Sequence, residues 1–321
     1  MTSTSPRRIR LRLFPPAGGA GGYEFTLAGH SILSDSPFDT VLPRDRVTAI
    51  PGLSLDPAPL PPEPAEPAEP FSSFRGFVAG RRRRIRCRDD EGHLIVEIPS
   101  IGTFSVDGNG FLRHLPPGGG AADGGLGGSP AELQQAALGP LLILVLALRG
   151  LFCLHCSAVA ADDGACLFLG ESGAGKSTLG RALGRAGWER LADDLLPLEL
   201  VDGTLVAWTD FPQLKEPLGP RRRRVPVAGF YVLAEGPQVG MGDLGSAEAA
   251  LALAANTAAA RLFPKQLLAR HLTAMAAWSR RAPIRRLTYP RRFEALPEVA
   301  RALAESAGGR PAPGEGRRSP D

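Results

Sequence analysis

Apolar and polar residues alternate through the first third of the chain. In residues 8–13 each arginine is followed by an apolar residue, Ile9, Leu11 or Leu13, which places the apolar side chains on one face of an extended segment. Similar runs continue to residue 114 and are separated by turn sequences such as Asp107-Gly108-Asn109-Gly110. The pattern predicts a β-rich N-terminal domain over residues 1–115.

Three segments rich in proline or glycine break this pattern. Residues 51–70 contain Pro-Ala-Glu-Pro-Ala-Glu-Pro and predict an extended, exposed loop. Residues 116–128 are rich in glycine and predict a linker between domains, and the composition of residues 306–321 predicts a disordered tail. The remaining residues, 129–305, are expected to form a second domain.

Helical spacing begins at residue 129. Ser129-Pro130-Ala131-Glu132 is a capping box with proline at the first helical position, and Pro140 predicts a kink before the apolar residues 141–148. That apolar run is too short for a membrane span, and the first residues lack the apolar segment of a signal peptide. We therefore expect no membrane partner and a cytoplasmic location.

A hairpin, a glycine-rich loop and a helix follow in order. Residues 152–160 and 165–169 predict two strands joined by the turn Ala161-Asp162-Asp163-Gly164. After residue 178 the apolar residues recur at helical spacing: Leu179, Ala182, Leu183 and Ala186. This order of strand, loop and helix is the context that a phosphate-binding loop requires.

The loop sequence is Gly170-Glu171-Ser172-Gly173-Ala174-Gly175-Lys176-Ser177-Thr178, which matches G-x-x-x-x-G-K-[ST]. Its glycines let backbone N–H groups surround a phosphate chain, Lys176 is suited to the β- and γ-phosphates, and the Ser177 hydroxyl is suited to Mg²⁺. A glycine-rich turn without a ligand is the alternative. The chain has only three lysines, and the presence of one of them, Lys176, at this position favours a site for ATP and Mg²⁺.

An acidic pair ends the next apolar segment. Asp193 and Asp194 follow Lys176 by 17 and 18 positions, at the end of a predicted buried strand over residues 190–196. Two carboxylates there are costly unless a metal–nucleotide complex offsets their charge, although an exposed turn would also accommodate them. His155, in the strand predicted to pair with the P-loop strand, is either a hydrogen-bonded core residue or a group beside the γ-phosphate.

Composition excludes several other functions. The 37 basic and 33 acidic residues give a net charge of +4, so nucleic acid is not an expected partner. The arginine runs at 81–84 and 221–224 fit solvated surfaces or phosphate contacts. Cys153 and Cys156 have an odd separation on a predicted strand, which favours buried thiols over a metal pair.

Three motifs together resemble a known family. Leu154-His155-Cys156-Ser157-Ala158-Val159, the loop 170–178 and Leu191-Ala192-Asp193-Asp194 are similar in order and spacing to the core of the HPr serine kinase/phosphorylase family. The resemblance implies an α/β fold with a P-loop kinase domain related to phosphoenolpyruvate carboxykinase, in which helices flank a mixed sheet.

The resemblance also implies an activity, the ATP-dependent phosphorylation of a serine hydroxyl in a protein or peptide acceptor. In the roles it implies, Asp193 is the general base, and Asp194 and Ser177 bind Mg²⁺. Lys176 neutralises the β- and γ-phosphates and His155 lies near the transferring group.

The acceptor is not identified by the sequence. Thr178 stands where an acidic residue commonly follows Lys-Ser in the HPr kinases. The N-terminal domain is expected to recognise the acceptor or to mediate formation of a homo-oligomer. A nucleotide-dependent regulatory switch, with or without hydrolysis, and a small-molecule kinase are the alternative functions.

Overall fold

The computed structural model describes residues 7–13, 22–39, 42, 46–50, 72–90, 93–115, 127–161, 164–213, 218 and 222–306. The predicted loop 51–70, most of the predicted linker and tail, and Arg221 lie outside these ranges. The described residues form two compact units. The first lies within Met1–Phe152 and Ala259–His271, and the second within Cys153–Ala258 and Leu272–Asp321.

The first unit is built on a mixed sheet whose described strands follow the order β4-β2-β3-β1-β9-β8-β7-β6-β5. Strand β1 is parallel to β3 and β9, and the pairs from β9 through β5 are antiparallel, as the predicted meander requires. The strands are β1 Arg7–Arg12, β2 Gly22–Leu27, β3 His30–Ser34, β4 Thr48–Ile50, β5 Ser72–Val78, β6 Arg81–Asp90, β7 His93–Ile98, β8 Gly102–Asp107 and β9 Phe111–Leu115.

A kinked helical segment packs on this sheet. Helix α1, Pro130–Ala136, begins at the predicted capping box, because the Ser129 hydroxyl accepts the Glu132 N–H and the Glu132 carboxylate accepts the Ser129 N–H. One wide turn at Ala137–Leu141 contains Pro140 and leads into α2, Leu142–Leu148, which contacts β8 and β9. The kink predicted at Pro140 is therefore present.

The segment Pro130–Leu148 is long and apolar enough to cross a membrane by length and composition, and 72% of its apolar window is buried inside the protein. The predicted domain division assigned this segment to the P-loop domain. In the structure the segment lies in the first unit, which also includes Ala259–His271, and the predicted domain bounds stay a prediction.

The second unit contains a second mixed sheet. Its described strands follow the order β10-β14-β15-β16-β12-β11-β13, with β18 beside β16 and β17 beside β18. The strands are β10 Phe152–His155, β11 Ser157–Ala161, β12 Gly164–Leu169, β13 Glu189–Ala192, β14 Leu195–Val201, β15 Thr204–Trp208, β16 Arg224–Glu235, β17 Gly240–Asp243 and β18 Ile284–Tyr289. The mixed α/β fold, with large sheets and helices, is confirmed.

Strand β12, which leads into the glycine-rich loop, lies between an antiparallel and a parallel neighbour. It pairs with β11 in the predicted hairpin, Ser157 opposite Phe168, and runs parallel to β16 on its other side. Its residues from Ala165 to Leu169 are fully buried. The continuous apolar run reflects this burial on both faces.

Two short interruptions in this sheet each separate strands that are consecutive in the chain. Only Cys156 separates β10 from β11, and only Asp193 and Asp194 separate β13 from β14. Strand β11 pairs with β13, whereas β10 pairs with β14. The continuous strand predicted over residues 190–196 is thus interrupted by a bend at the acidic pair.

Four helices complete the described part of the second half of the chain. Helix α3, Lys176–Arg185, covers the sheet with Leu179 and Leu183. Its buried face includes Gly180, where a Cβ would meet the Ser157 hydroxyl oxygen. The predicted Ala186 is exposed, because α3 ends at Arg185 and Ala186 is its C-cap. The other helices are α4 Ser246–Ala255, α5 Lys265–Trp278 and α6 Leu296–Ser306.

Candidate functional site

The loop between β12 and α3 requires glycine at three positions. Gly170, Gly173 and Gly175 have φ values of 145°, 87° and 93°, in the range that favours glycine. The Ala174 N–H donates to the Glu171 carbonyl and closes a tight turn, while Glu171, Ser172 and Gly173 are exposed. The predicted loop is therefore compact, with its tip open to solvent.

Lys176 is folded back onto this loop. Its Nζ donates to the Gly170 carbonyl at 2.6 Å and the Glu171 carbonyl at 3.0 Å, and the residue is 8% exposed. Backbone carbonyls of the loop therefore help to hold the Lys176 ammonium in the interior, at the start of α3.

The start of α3 adds to this positive potential. Gly175 is the N-cap residue, in the left-handed conformation, and no described side chain caps the helix there. The first N–H groups of a helix have no partner within the helix and carry its positive dipole end. This end of α3 therefore favours negative charge nearby.

Asn256 connects the loop to the strand that carries His155. Its Oδ1 accepts the Gly170 N–H at 3.0 Å, and its backbone carbonyl accepts the His155 N–H at 2.7 Å. Its Nδ2 donates to the Ala252 carbonyl, which fixes the amide at the end of α4. The glycine-rich loop and the His155 strand are therefore adjacent. The sequence analysis missed Asn256, which lies 80 residues beyond Lys176 without a motif of its own.

His155 and Asp194 form a direct pair at the two strand interruptions. The His155 Nε2 lies 3.1 Å from the Asp194 Oδ1, and the side chains are 39% and 14% exposed. The Cys156 N–H donates to the Asp194 carbonyl at 3.1 Å, so the backbones of the two segments are joined as well. The pair is accessible to solvent, as a group acting on a substrate must be.

Asp193 occupies a different environment from its neighbour. Its carboxylate lies 3.6 Å from the guanidinium of Arg181 on α3 and 3.7 Å from that of Arg190 on β13, and the side chain is 3% exposed. The bend between β13 and β14 thus separates the predicted acidic pair. Asp194 faces His155, and Asp193 is enclosed by two arginines. Neither arginine was predicted, since both are common surface residues in this composition.

A glutamine fixes the bend that carries the pair. The Gln213 Oε1 accepts the N–H groups of Asp193 and Asp194 at 2.9 and 3.1 Å. Its Nε2 donates to the carbonyls of Leu195 and Phe211 at 2.7 and 3.2 Å, and the residue is 7% exposed. The sequence carried no signal for this residue.

No group of three or more metal-ligating side chains is present in the described ranges. Mg²⁺ in nucleotide enzymes is held by one or two protein oxygens together with phosphates and water, so the Mg²⁺ site at Ser177 and Asp194 stays a prediction. Ser177, the second residue of α3, is partly exposed.

The cysteines of the C-x-x-C run are buried, and burial raises the pKa of both thiols well above the ordinary range. After burial, the next influences on the pKa of Cys156 are the charge of Lys176, which lowers it, and the charge of Asp194, which raises it. Lys215 lies outside the described residues.

No protein-family model matches the chain, and no curated protein matches it. Among solved structures, it is similar to the Hpr(Ser) kinase/phosphatase from Coxiella burnetii, with a TM-score of 0.28 and 13% sequence identity. The similarity covers 48% of this chain and 98% of that protein. The chemistry of the site is therefore inferred from its own residues.

Proposed function

We propose that this protein is an ATP-dependent phosphotransferase that transfers the γ-phosphate to a hydroxyl, a serine of a protein or peptide. In this proposal the second unit is a P-loop kinase domain of the HPr kinase and phosphoenolpyruvate carboxykinase type. The observation that carries the proposal is the link made by Asn256, which brings the His155–Asp194 pair beside the glycine-rich loop. A phosphate site and a proton acceptor next to it are the two parts that phosphoryl transfer requires.

The loop and the start of α3 would hold the nucleotide. Backbone N–H groups, the helix dipole and Lys176 supply positive charge to the β- and γ-phosphates, and Ser177 supplies a hydroxyl ligand for Mg²⁺. Bound Mg·ATP supplies the phosphoryl group and its electrophilic phosphorus. To reach the phosphates, the Lys176 ammonium exchanges its two carbonyl partners for phosphate oxygens.

Asp194 is the proposed general base, with His155 as the group that orients it. A general base must reach the proton that it removes. Asp194 is partly exposed and contacts His155, whereas Asp193 is enclosed between Arg181 and Arg190. This proposal moves the base from Asp193 to Asp194, which the sequence-based roles had made a metal ligand, and gives Asp193 no part in the chemistry.

The test is transfer of labelled γ-phosphate from ATP, with Mg²⁺, into proteins of a lysate of the source cells. The matched variants are Asp194→Asn and Asp202→Asn, the second of which changes an exposed aspartate in the turn after β14. We expect a labelled acceptor with the wild type and Asp202→Asn, and no label with Asp194→Asn.

The alternative function is a nucleotide-dependent switch, which the folded-back Lys176 favours because its contacts must change when phosphate binds. Tight ATP binding without any labelled acceptor, and ATP hydrolysis unaffected by Asp194→Asn, would reject the kinase and support the switch.

A further inference from the structure

At the bend, the backbone N–H groups of Asp193 and Asp194 both bond to the side chain of Gln213. Because the segment leaves β13 before it joins β14, the N–H groups of the two aspartates donate to Gln213 instead of to a neighbouring strand. A buried N–H group without an acceptor loses its hydrogen bond to water with nothing in exchange, which destabilises the folded state. The bend is therefore stable only with an acceptor inside the protein.

The side-chain amide of Gln213 supplies the bend with both an acceptor and a donor. The oxygen of Gln213 accepts two N–H groups, and its nitrogen donates to one carbonyl on each side, Leu195 in β14 and Phe211 in the loop after β15. The four bonds use both acceptor positions of the amide oxygen and both N–H groups of the amide nitrogen. Gln213 thus joins the start of β14 to the loop that follows β15.

The orientation of the two carboxylates depends on this bend. In a regular strand, neighbouring side chains point to opposite faces, and their directions are set by the strand's own pairing. Here the pairing is interrupted, and Gln213 fixes the backbone from which Asp194 reaches His155 and Asp193 reaches Arg181. The Cys156 N–H holds the same segment from the other side, through the Asp194 carbonyl.

We propose that Gln213 is a positioning residue for phosphoryl transfer, acting through Asp194. This inference rests on the proposed function, since the reaction that it supports is the transfer assigned to that site. Gln213 does not contact the glycine-rich loop in any described hydrogen bond, so its effect is expected on the chemical step and not on nucleotide binding.

The first test compares the kinetics of phosphate transfer from ATP to the acceptor labelled in the lysate. The variants are Gln213→Met and Gln238→Met, the second of which is a control at an exposed glutamine of the same unit. Methionine keeps the length of the side chain and removes all four hydrogen bonds. We expect Gln213→Met to lower kcat by about 10- to 100-fold, as small displacements of a catalytic group do. The KM and Kd for ATP should change less than about 3-fold, a split that general destabilisation does not produce.

The second test measures backbone amide hydrogen exchange and does not depend on activity. Gln213→Met should accelerate exchange at Asp193 and Asp194, while Gln238→Met should leave both amides unchanged. Unchanged exchange at the aspartates, or an unchanged kcat, would overturn the inference.

The two proposals fail in different ways. If the wild type binds ATP but transfers no phosphate, the proposed function fails, and hydrogen exchange alone decides whether Gln213 orders the acidic pair. If Gln213→Met does not fold, Gln213→Glu replaces it, because a carboxyl group keeps the oxygen acceptor and loses the donors. That variant should also lower kcat with the Kd for ATP unchanged, and an unaffected kcat would count against the inference.

Discussion

The two units both rest on large mixed sheets, but they differ in where charged side chains lie. In β6 of the first unit, Arg84 and Arg86 are exposed and alternate with the buried Ile85 and Cys87. Asp107, a buried carboxylate of that unit, accepts the Phe111 N–H in a tight turn. These are arrangements that simple alternation and turn chemistry explain.

The second unit groups its buried charges near the end of β12. Lys176 and Asp193 are each less than a tenth exposed, and the partly exposed Asp194 lies beside His155. Burying a charge is costly unless it is paired. The first unit thus buries Asp107 singly in a turn, whereas the second unit buries several charged groups together where the proposed chemistry lies.

The largest effect is expected from Asp194→Asn. If Asp194 is the base, the amide cannot take the acceptor proton, and kcat should fall by about 10²- to 10⁴-fold, the usual contribution of general base catalysis. The Kd for ATP should change little, and single-turnover transfer with the identified acceptor measures the loss. A kcat within a few-fold of the wild type would remove Asp194 from the chemistry and weaken the contrast between the units.

Lys176→Ala should mainly weaken nucleotide binding. Hydrogen bonds to charged groups contribute about 1.5–3 kcal/mol, so the Kd for ATP should rise by about 10- to 100-fold. Lys265→Ala is the matched control, because Lys265 is an exposed lysine. Equal ATP affinity in both variants, measured by calorimetry, would argue that the buried lysine has only a structural role.

Asp193→Ala should affect stability more than chemistry. It removes the carboxylate between Arg181 and Arg190, of which Arg181 is about half exposed and can be solvated. We expect the free energy of unfolding to fall by about 1–3 kcal/mol, less than for a fully buried ion pair. Urea denaturation measures the change. A large loss of kcat in a variant of unchanged stability would instead restore the original assignment of Asp193 as base.

The smallest effect concerns pH and the first unit. Burial beside Phe152 and Phe263 lowers the pKa of His271 below its usual value. The folded state then binds fewer protons than the unfolded state, so this contribution to stability is complete above about pH 6.5 and is lost as the pH falls below it. Unfolding at pH 7.5 and 5.5 should differ less in His271→Leu than in the wild type. An identical difference in both would show that folding does not lower the pKa of His271.

Local patterns predicted much of this fold because they depend on neighbouring residues. The capping box at Ser129, the kink at Pro140 and the hairpin of β11 and β12 are all present. Tertiary packing decided against other expectations. Ala186 is exposed at the C-cap of α3, and the strand through Asp193 and Asp194 is bent.

The sequence by itself determined the glycine-rich loop, its lysine and the order of strand, loop and helix, because these features are encoded by nine consecutive residues and the segments next to them. Only the tertiary structure decided which aspartate faces His155, and it introduced Asn256 and Gln213 as partners of the site. The reason is physical. Side-chain direction at a bend and long-range hydrogen bonds are set by contacts between segments that are distant in sequence, which local periodicity does not record.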